Sequence, residues 1–145
     1  MRKILITGAA GFIGSELAKH LSKNANYDLT LVDNLSYGYL ENLKNHSVIN
    51  KFNLMDIRSK EFLAIVPEFD YIFHLAGISS LPECEANPKL ALDVNTVGVA
   101  NILQALRGAK KSTRLIFAST SAVYENTNNM ILSEGDKCEP NLIYA

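Results

Sequence analysis

An apolar strand that runs directly into three evenly spaced glycines constrains this chain more than any other feature. Ile4-Leu5-Ile6-Thr7 leads into Gly8, Gly11 and Gly14, and a helical pattern opens at once with Phe12 and Ile13. Gly8 lets the chain turn sharply off the strand, and Gly11 has no side chain to hold an anionic group away from the backbone. Gly14 lets the new helix lie close against the strand. The helix then presents free N–H groups and the positive end of its dipole, an arrangement suited to a pyrophosphate.

A second strand, Leu29-Thr30-Leu31-Val32, ends on Asp33, nineteen residues after Gly14. That is where a carboxylate reaches the ribose hydroxyls of an adenine dinucleotide. A carboxylate accepts from the 2′-OH of NAD and repels the 2′-phosphate of NADP. Asn34, Leu35 and Ser36 follow, and no lysine or arginine comes before Lys44. The pattern therefore predicts NAD.

Strands and helices alternate along the chain. The pattern predicts strands at Arg2–Thr7, Leu29–Asp33, Val48–Asn53, Tyr71–His74 and Arg114–Ser119. Helices are expected at Phe12–Ser22, at Ser59–Val66 with Ser59 as N-cap, and at Pro88–Ala109. Tyr37–Asn45 reads as a short helix or loop. Such alternation implies right-handed crossovers and a doubly wound parallel α/β sheet covered on both faces, a Rossmann-type fold. One domain is the expectation at 145 residues. Beyond Tyr124 the pattern dissolves into the polar Glu125-Asn126-Thr127-Asn128-Asn129, expected to be an active-site loop or a place where something has been cut away.

A net charge of −1 gives no electrostatic case for nucleic acid or an anionic membrane. Arg107, Lys110, Lys111 and Arg114 read as a solvated helix end. No apolar run is long enough to span a bilayer, and the N-terminal stretch breaks too soon for a signal peptide. Cys84 and Cys138 lack metal spacing and read as free thiols of a reducing compartment, so the cytoplasm is expected.

Six segments together resemble the extended short-chain dehydrogenase/reductase family, in particular its nucleotide-sugar epimerases and dehydratases. Thr7-Gly8-Ala9-Ala10-Gly11-Phe12-Ile13-Gly14 resembles the family's glycine loop, and Val32-Asp33-Asn34-Leu35-Ser36-Tyr37-Gly38 a segment common in sugar 4-epimerases. Asp56-Ile57-Arg58 is similar to the element whose acid meets the adenine amino group. His74-Leu75-Ala76-Gly77 is similar to the strand end along the cofactor. Asn95-Thr96-Val97-Gly98-Val99-Ala100-Asn101 and Ala118-Ser119-Thr120-Ser121-Ala122-Val123-Tyr124 complete the set.

The resemblance implies a cofactor site built from Gly8, Gly11, Phe12, Ile13, Gly14, Asp33, Asn34, Ser36, Gly38, Asp56, Ile57, Leu75, Ala76, Gly77, Asn95 and Ser119. Asn95 either holds backbone near the site or packs its helix, and His74 reads as a hydrogen-bonded spacer rather than an acid or base. The resemblance also implies a catalytic pair. Thr120, four residues before Tyr124, would polarise a sugar oxygen, and Tyr144 would take its proton while hydride passes to NAD. Thr120 and Ser80 are the implied substrate-pocket residues.

Three departures from the family's pattern stand out. Its VYG becomes Val123-Tyr124-Glu125, HLAA becomes HLAG, and Ser121-Ala122 replaces the Asp-Glu of the 4,6-dehydratases, which argues for epimerisation or simple reduction. The lysine of the family's Y-x-x-x-K falls beyond Ala145, together with the sugar-binding part. Residues 1–145 are therefore expected to be the NAD-binding half of a nucleotide-sugar epimerase, binding NAD weakly and not turning over alone. A homodimer or other homo-oligomer is expected, with Leu92, Val99, Leu103 and Leu106 on an outer helix face left exposed. The alternatives are a non-catalytic NAD-binding or interaction domain and, disfavoured by Asp33, an NADP-linked reductase.

Overall fold

The computed structural model describes residues 1–44, 46–125 and 131–145. The chain opens with β1 (Arg2–Thr7), α1 (Phe12–Leu21) and β2 (Tyr27–Asp33). Two 3₁₀ turns (Leu40–Asn42 and Ser47–Lys51) precede β3 (Phe52–Leu54), α2 (Lys60–Ile65), a third 3₁₀ turn and β4 (Tyr71–His74). Then come α3 (Leu81–Ala86), α4 (Pro88–Leu92), a π turn (Asp93–Val97), α5 (Gly98–Arg107) and β5 (Arg114–Phe117). A last 3₁₀ turn spans Ser121–Tyr124. The five strands form one parallel sheet in the order β3-β2-β1-β4-β5.

The central position of β1 follows from its composition. Side chains alternate across a strand, so a strand buried on both faces must be apolar throughout. Ile4 and Ile6 enter one core with Ala18, Leu29, Leu31 and Leu43, whereas Leu5 enters the opposite core with Val32, Phe62, Val66, Ile72 and Ile102. Helix α1 covers the first face and α2 and α5 the second. Ser59 caps α2 as expected, its hydroxyl accepting from the Phe62 N–H at 3.1 Å.

Four details correct the sequence reading. Val48–Asn53 is not a continuous strand: a 3₁₀ turn carries Val48 into the first core, and β3 starts only at Phe52, opposite Leu31. Helix α3, with Pro82 in its first turn, was not foreseen, although proline there is a helix-start signal. The expected Pro88–Ala109 helix is interrupted by the π turn. Along it Leu92 and Leu103 are about half exposed, but Leu106 packs into the second core. Asn126, Thr127, Asn128 and Asn129 of the polar tail, and Asn45, lie outside the described residues. Among the described residues no helix is long and apolar enough to cross a membrane.

The tightest approach in the fold is that of α1 to the strand before it. A Cβ built on Gly14 would lie 2.1 Å from the Gly8 carbonyl oxygen and 2.9 Å from Ala9 Cα, so an added methyl must displace backbone. Gly14→Ala is expected to cost on the order of 3 kcal/mol. Gly135→Ala, where no described residue lies within 4 Å of the added Cβ, should be near neutral. Urea unfolding of the two variants checks this.

Candidate dinucleotide-binding cleft

The carboxyl ends of β1, β2, β4 and β5 open on one cleft of about 750 Å³. Its floor is the glycine turn. Gly8 has φ +67°, and a Cβ there would lie 2.7 Å from both the Leu75 carbonyl carbon and the Ala76 nitrogen. The turn thus sits directly against the chain leaving β4. The Gly11 N–H donates to the Gly8 carbonyl at 3.1 Å, and Gly11 then becomes the N-cap of α1. Among the described residues no side chain caps this helix, and its first turn holds no acidic residue. The first N–H groups of a helix have no acceptor within it. This end of the helix borders the cleft, which Gly11, Phe12, Ile13 and Gly14 line.

Three polar side chains fix the walls. Asp33, at the end of β2, is 9% exposed. One of its oxygens accepts from the Ala10 N–H at 3.0 Å and the other from the Leu35 N–H at 2.8 Å. Leu35 adopts φ +58°, a left-handed conformation unusual for a branched side chain, and the Asp33 carboxylate holds it there. Each Asp33 oxygen keeps a lone pair for a ligand. Across the sheet, the Thr7 hydroxyl meets His74 Nδ1 at 2.7 Å and accepts from the Ala76 N–H at 3.3 Å. The His74 ring also stacks on Phe117. Asn95, within the π turn, closes a two-bond clasp on Ile78, accepting from its N–H at 2.8 Å and donating to its carbonyl at 2.9 Å.

Asp56, after β3, forms a two-point ion pair with Arg58: Nε to Oδ1 at 2.9 Å and Nη2 to Oδ2 at 2.7 Å. Hydrogen bonding from the Arg58 side chain holds the carboxyl well below the usual carboxylate range. Asn34 donates to the same group at 3.3 Å, joining the loops after β2 and β3.

Every expected cofactor residue lines this cleft, as do Thr120 and Tyr144. The Thr120 oxygen accepts from the Ala122 N–H at 3.1 Å, which leaves its own hydrogen available to donate. The Tyr144 ring packs on Ile78, Cys84 and Ala91. Ser80 and Asn95 have particular settings. Ser80 does not line the cleft; it is the residue before α3, its carbonyl accepting from the Cys84 N–H. Asn95 lines the cleft and takes the first of its two expected roles, its amide holding the Ile78 backbone at the wall. Sequence reasoning also missed Tyr37, a cleft residue whose hydroxyl donates to Glu83 on α3, because the pair is 46 residues apart.

The chain matches the NAD dependent epimerase/dehydratase family over residues 4–145. It is 32% identical to a UDP-glucose 4-epimerase of Streptomyces lividans, covering 99% of this chain and 43% of that protein. It is 38% identical to UDP-glucuronic acid decarboxylase 1 of Danio rerio, over 85% of this chain and 28% of that one. Among solved structures, the UDP-N-acetylglucosamine 4-epimerase of Methanobrevibacter ruminantium M1 superimposes with a TM-score of 0.85 at 33% identity, covering 99% of this chain and 46% of that chain. A UDP-glucose 4-epimerase of Thermus thermophilus, solved with NAD, gives a TM-score of 0.80 at 32% identity, over 98% of this chain and 46% of that chain. This chain therefore belongs to the NAD dependent epimerase/dehydratase family. It spans less than half the length of each of these relatives.

His74 supplies a test of the cleft's interior. It is 1% exposed, and burial pushes its imidazole pKa from 6.5 down to about 4. Between those values the unfolded chain binds a proton that the folded chain does not. Stability should therefore fall as pH drops through this window and level off below it. An NMR titration of the His74 ring is expected to show a midpoint near 4, and urea unfolding at pH 7 and pH 5 should show the loss.

Proposed function

We propose that residues 1–145 form the NAD-binding unit of a nucleotide-sugar epimerase acting in the cytoplasm. The observation that carries this reading is the meeting of two sets of residues in one cleft. Thr120 and Tyr144, distant in sequence, share it with the glycine turn and Asp33. In this reading the N-terminus of α1 and the backbone at Gly11 hold the pyrophosphate. Asp33 accepts from the adenosine ribose, Asp56 gives up its long bond to Asn34 to accept from the adenine amino group, and Leu75, Ala76 and Gly77 lie along the nicotinamide half.

The chemistry that NAD supplies when bound is reversible acceptance of hydride from a sugar carbon. The chain's own residues handle the proton. Thr120 donates its hydrogen to the sugar oxygen and orients it, and Tyr144, as the phenolate, takes the hydroxyl proton. With the proton returned to the sugar oxygen and hydride to the opposite face of the carbon, the carbon would be inverted. The UDP-sugar relatives support a nucleotide sugar as substrate. The half-exposed Leu92, Val97 and Leu103 on one helical run support assembly into a homo-oligomer.

Two measurements test this reading. Calorimetry should find NAD bound in preference to NADP, and Asp33→Ala should weaken NAD binding by about 1.5–3 kcal/mol. Equal affinity for NADP would overturn the cofactor assignment. In the protein as cells make it, Thr120→Val and Tyr144→Phe should each lower hydride transfer from a UDP-sugar by about 10²-fold or more while NAD affinity holds. Full activity in either variant would remove that residue from the mechanism.

A further inference from the structure

The position where the family's VYG glycine has become Glu125 lies five residues after Thr120, and the structure gives that carboxylate a definite task. One Glu125 oxygen accepts from the backbone N–H groups of Asn141 at 2.5 Å and Leu142 at 3.1 Å. These residues lie three and two positions before Tyr144, beside a turn closed by the Ala145 N–H on the Leu142 carbonyl. A carboxylate that accepts from successive backbone N–H groups holds a chain more firmly than a neutral acceptor does. Nearby contacts act in the same direction. The Glu139 N–H donates to the Val123 carbonyl at 2.9 Å, and the Ile143 N–H donates to Glu85 on α3 at 3.3 Å. The segment carrying Tyr144 is thus tied to the turn that begins at Thr120 and to the helix after β4.

We propose that Glu125 is a positioning residue for Tyr144. It anchors residues 141 and 142 so that the Tyr144 ring seats on Ile78, Cys84 and Ala91 in the cleft that Thr120 lines. A glycine at position 125 cannot make this anchor. This inference rests on the assignment of Tyr144 as the proton acceptor for its catalytic meaning, but the anchor itself can be measured without turnover.

The test compares the unaltered protein with Glu125→Ala and Glu125→Gln, the second keeping an acceptor oxygen. Glu125 is exposed, so neither change threatens the core. Amide exchange at Asn141 and Leu142 should accelerate about tenfold or more in Glu125→Ala and much less in Glu125→Gln. The ring signal of isotopically labelled Tyr144 should move on addition of NAD in the unaltered protein and lose that response in Glu125→Ala, with NAD affinity unchanged. In the protein as cells make it, Glu125→Ala should lower kcat with little change in KM, and Glu125→Gln should restore most of it. Unchanged amide exchange in Glu125→Ala would overturn the proposal. So would freed amides with an unaltered Tyr144 ring signal and kcat. Failure of the unaltered protein to bind NAD would instead overturn the proposed function, and the exchange rates would still decide the anchor.

Discussion

The carbonyl of Gly8 is the point on which the site is built. Helix α1 passes so close to it that only a hydrogen fits at Gly14, and the Gly11 N–H bonds to the same oxygen. On its other side the left-handed Gly8 lies against the Leu75–Ala76 peptide. Three segments that diverge in sequence are thereby packed around one peptide unit. This fixes the α1 N-terminus relative to the chain leaving β4, so this end of the helix borders the cleft.

Around that point, polar side chains are used mainly to shape backbone. Asp33 holds Ala10 and Leu35, Thr7 holds Ala76 through a hydroxyl shared with His74, and Asn95 holds Ile78. The Asp33–Ala10 and Thr7–Ala76 ties join segments at the ends of different strands, whereas Asn95 closes the stretch after β4 on itself. Most of these groups are largely shielded from water, where an unmade hydrogen bond is costly, so the ties resist rearrangement. The cleft wall is therefore set before any ligand arrives, and the Thr120 hydrogen remains available to one.

The sequence carried the parts of this arrangement that depend on local chemistry. The glycine spacing located the turn, the apolar alternation of Ile4, Leu5 and Ile6 located the central strand, and Ser59 marked a helix start. The motif resemblance gathered residues that do line one cleft, from Gly8 to Tyr144. What stayed hidden was decided by contacts between distant segments. The start of β3 is set by pairing of Phe52 with Leu31, and the amide of Asn95 is directed by Ile78. Ser80 is matched by its place after the β4 motif, and the structure sets it as the N-cap of α3, beside Ser79 of the cleft lining. Glu125 read only as a lost glycine, since its partners lie 16 and 17 residues further along the chain.

The π turn at Asp93–Val97 has a geometric effect on the helices it joins. A wider turn advances the chain by fewer degrees per residue, so the apolar stripe of α5 is rotated relative to that of α4. Ala91 can then face Ile78 and Cys84 beneath the cleft while Ile102 faces Phe62 and Val66 beneath the sheet. Val94, inside the turn, touches both groups. One continuous helical run thus joins the body of the fold to the wall of its cleft, with Asn95 set at the join itself.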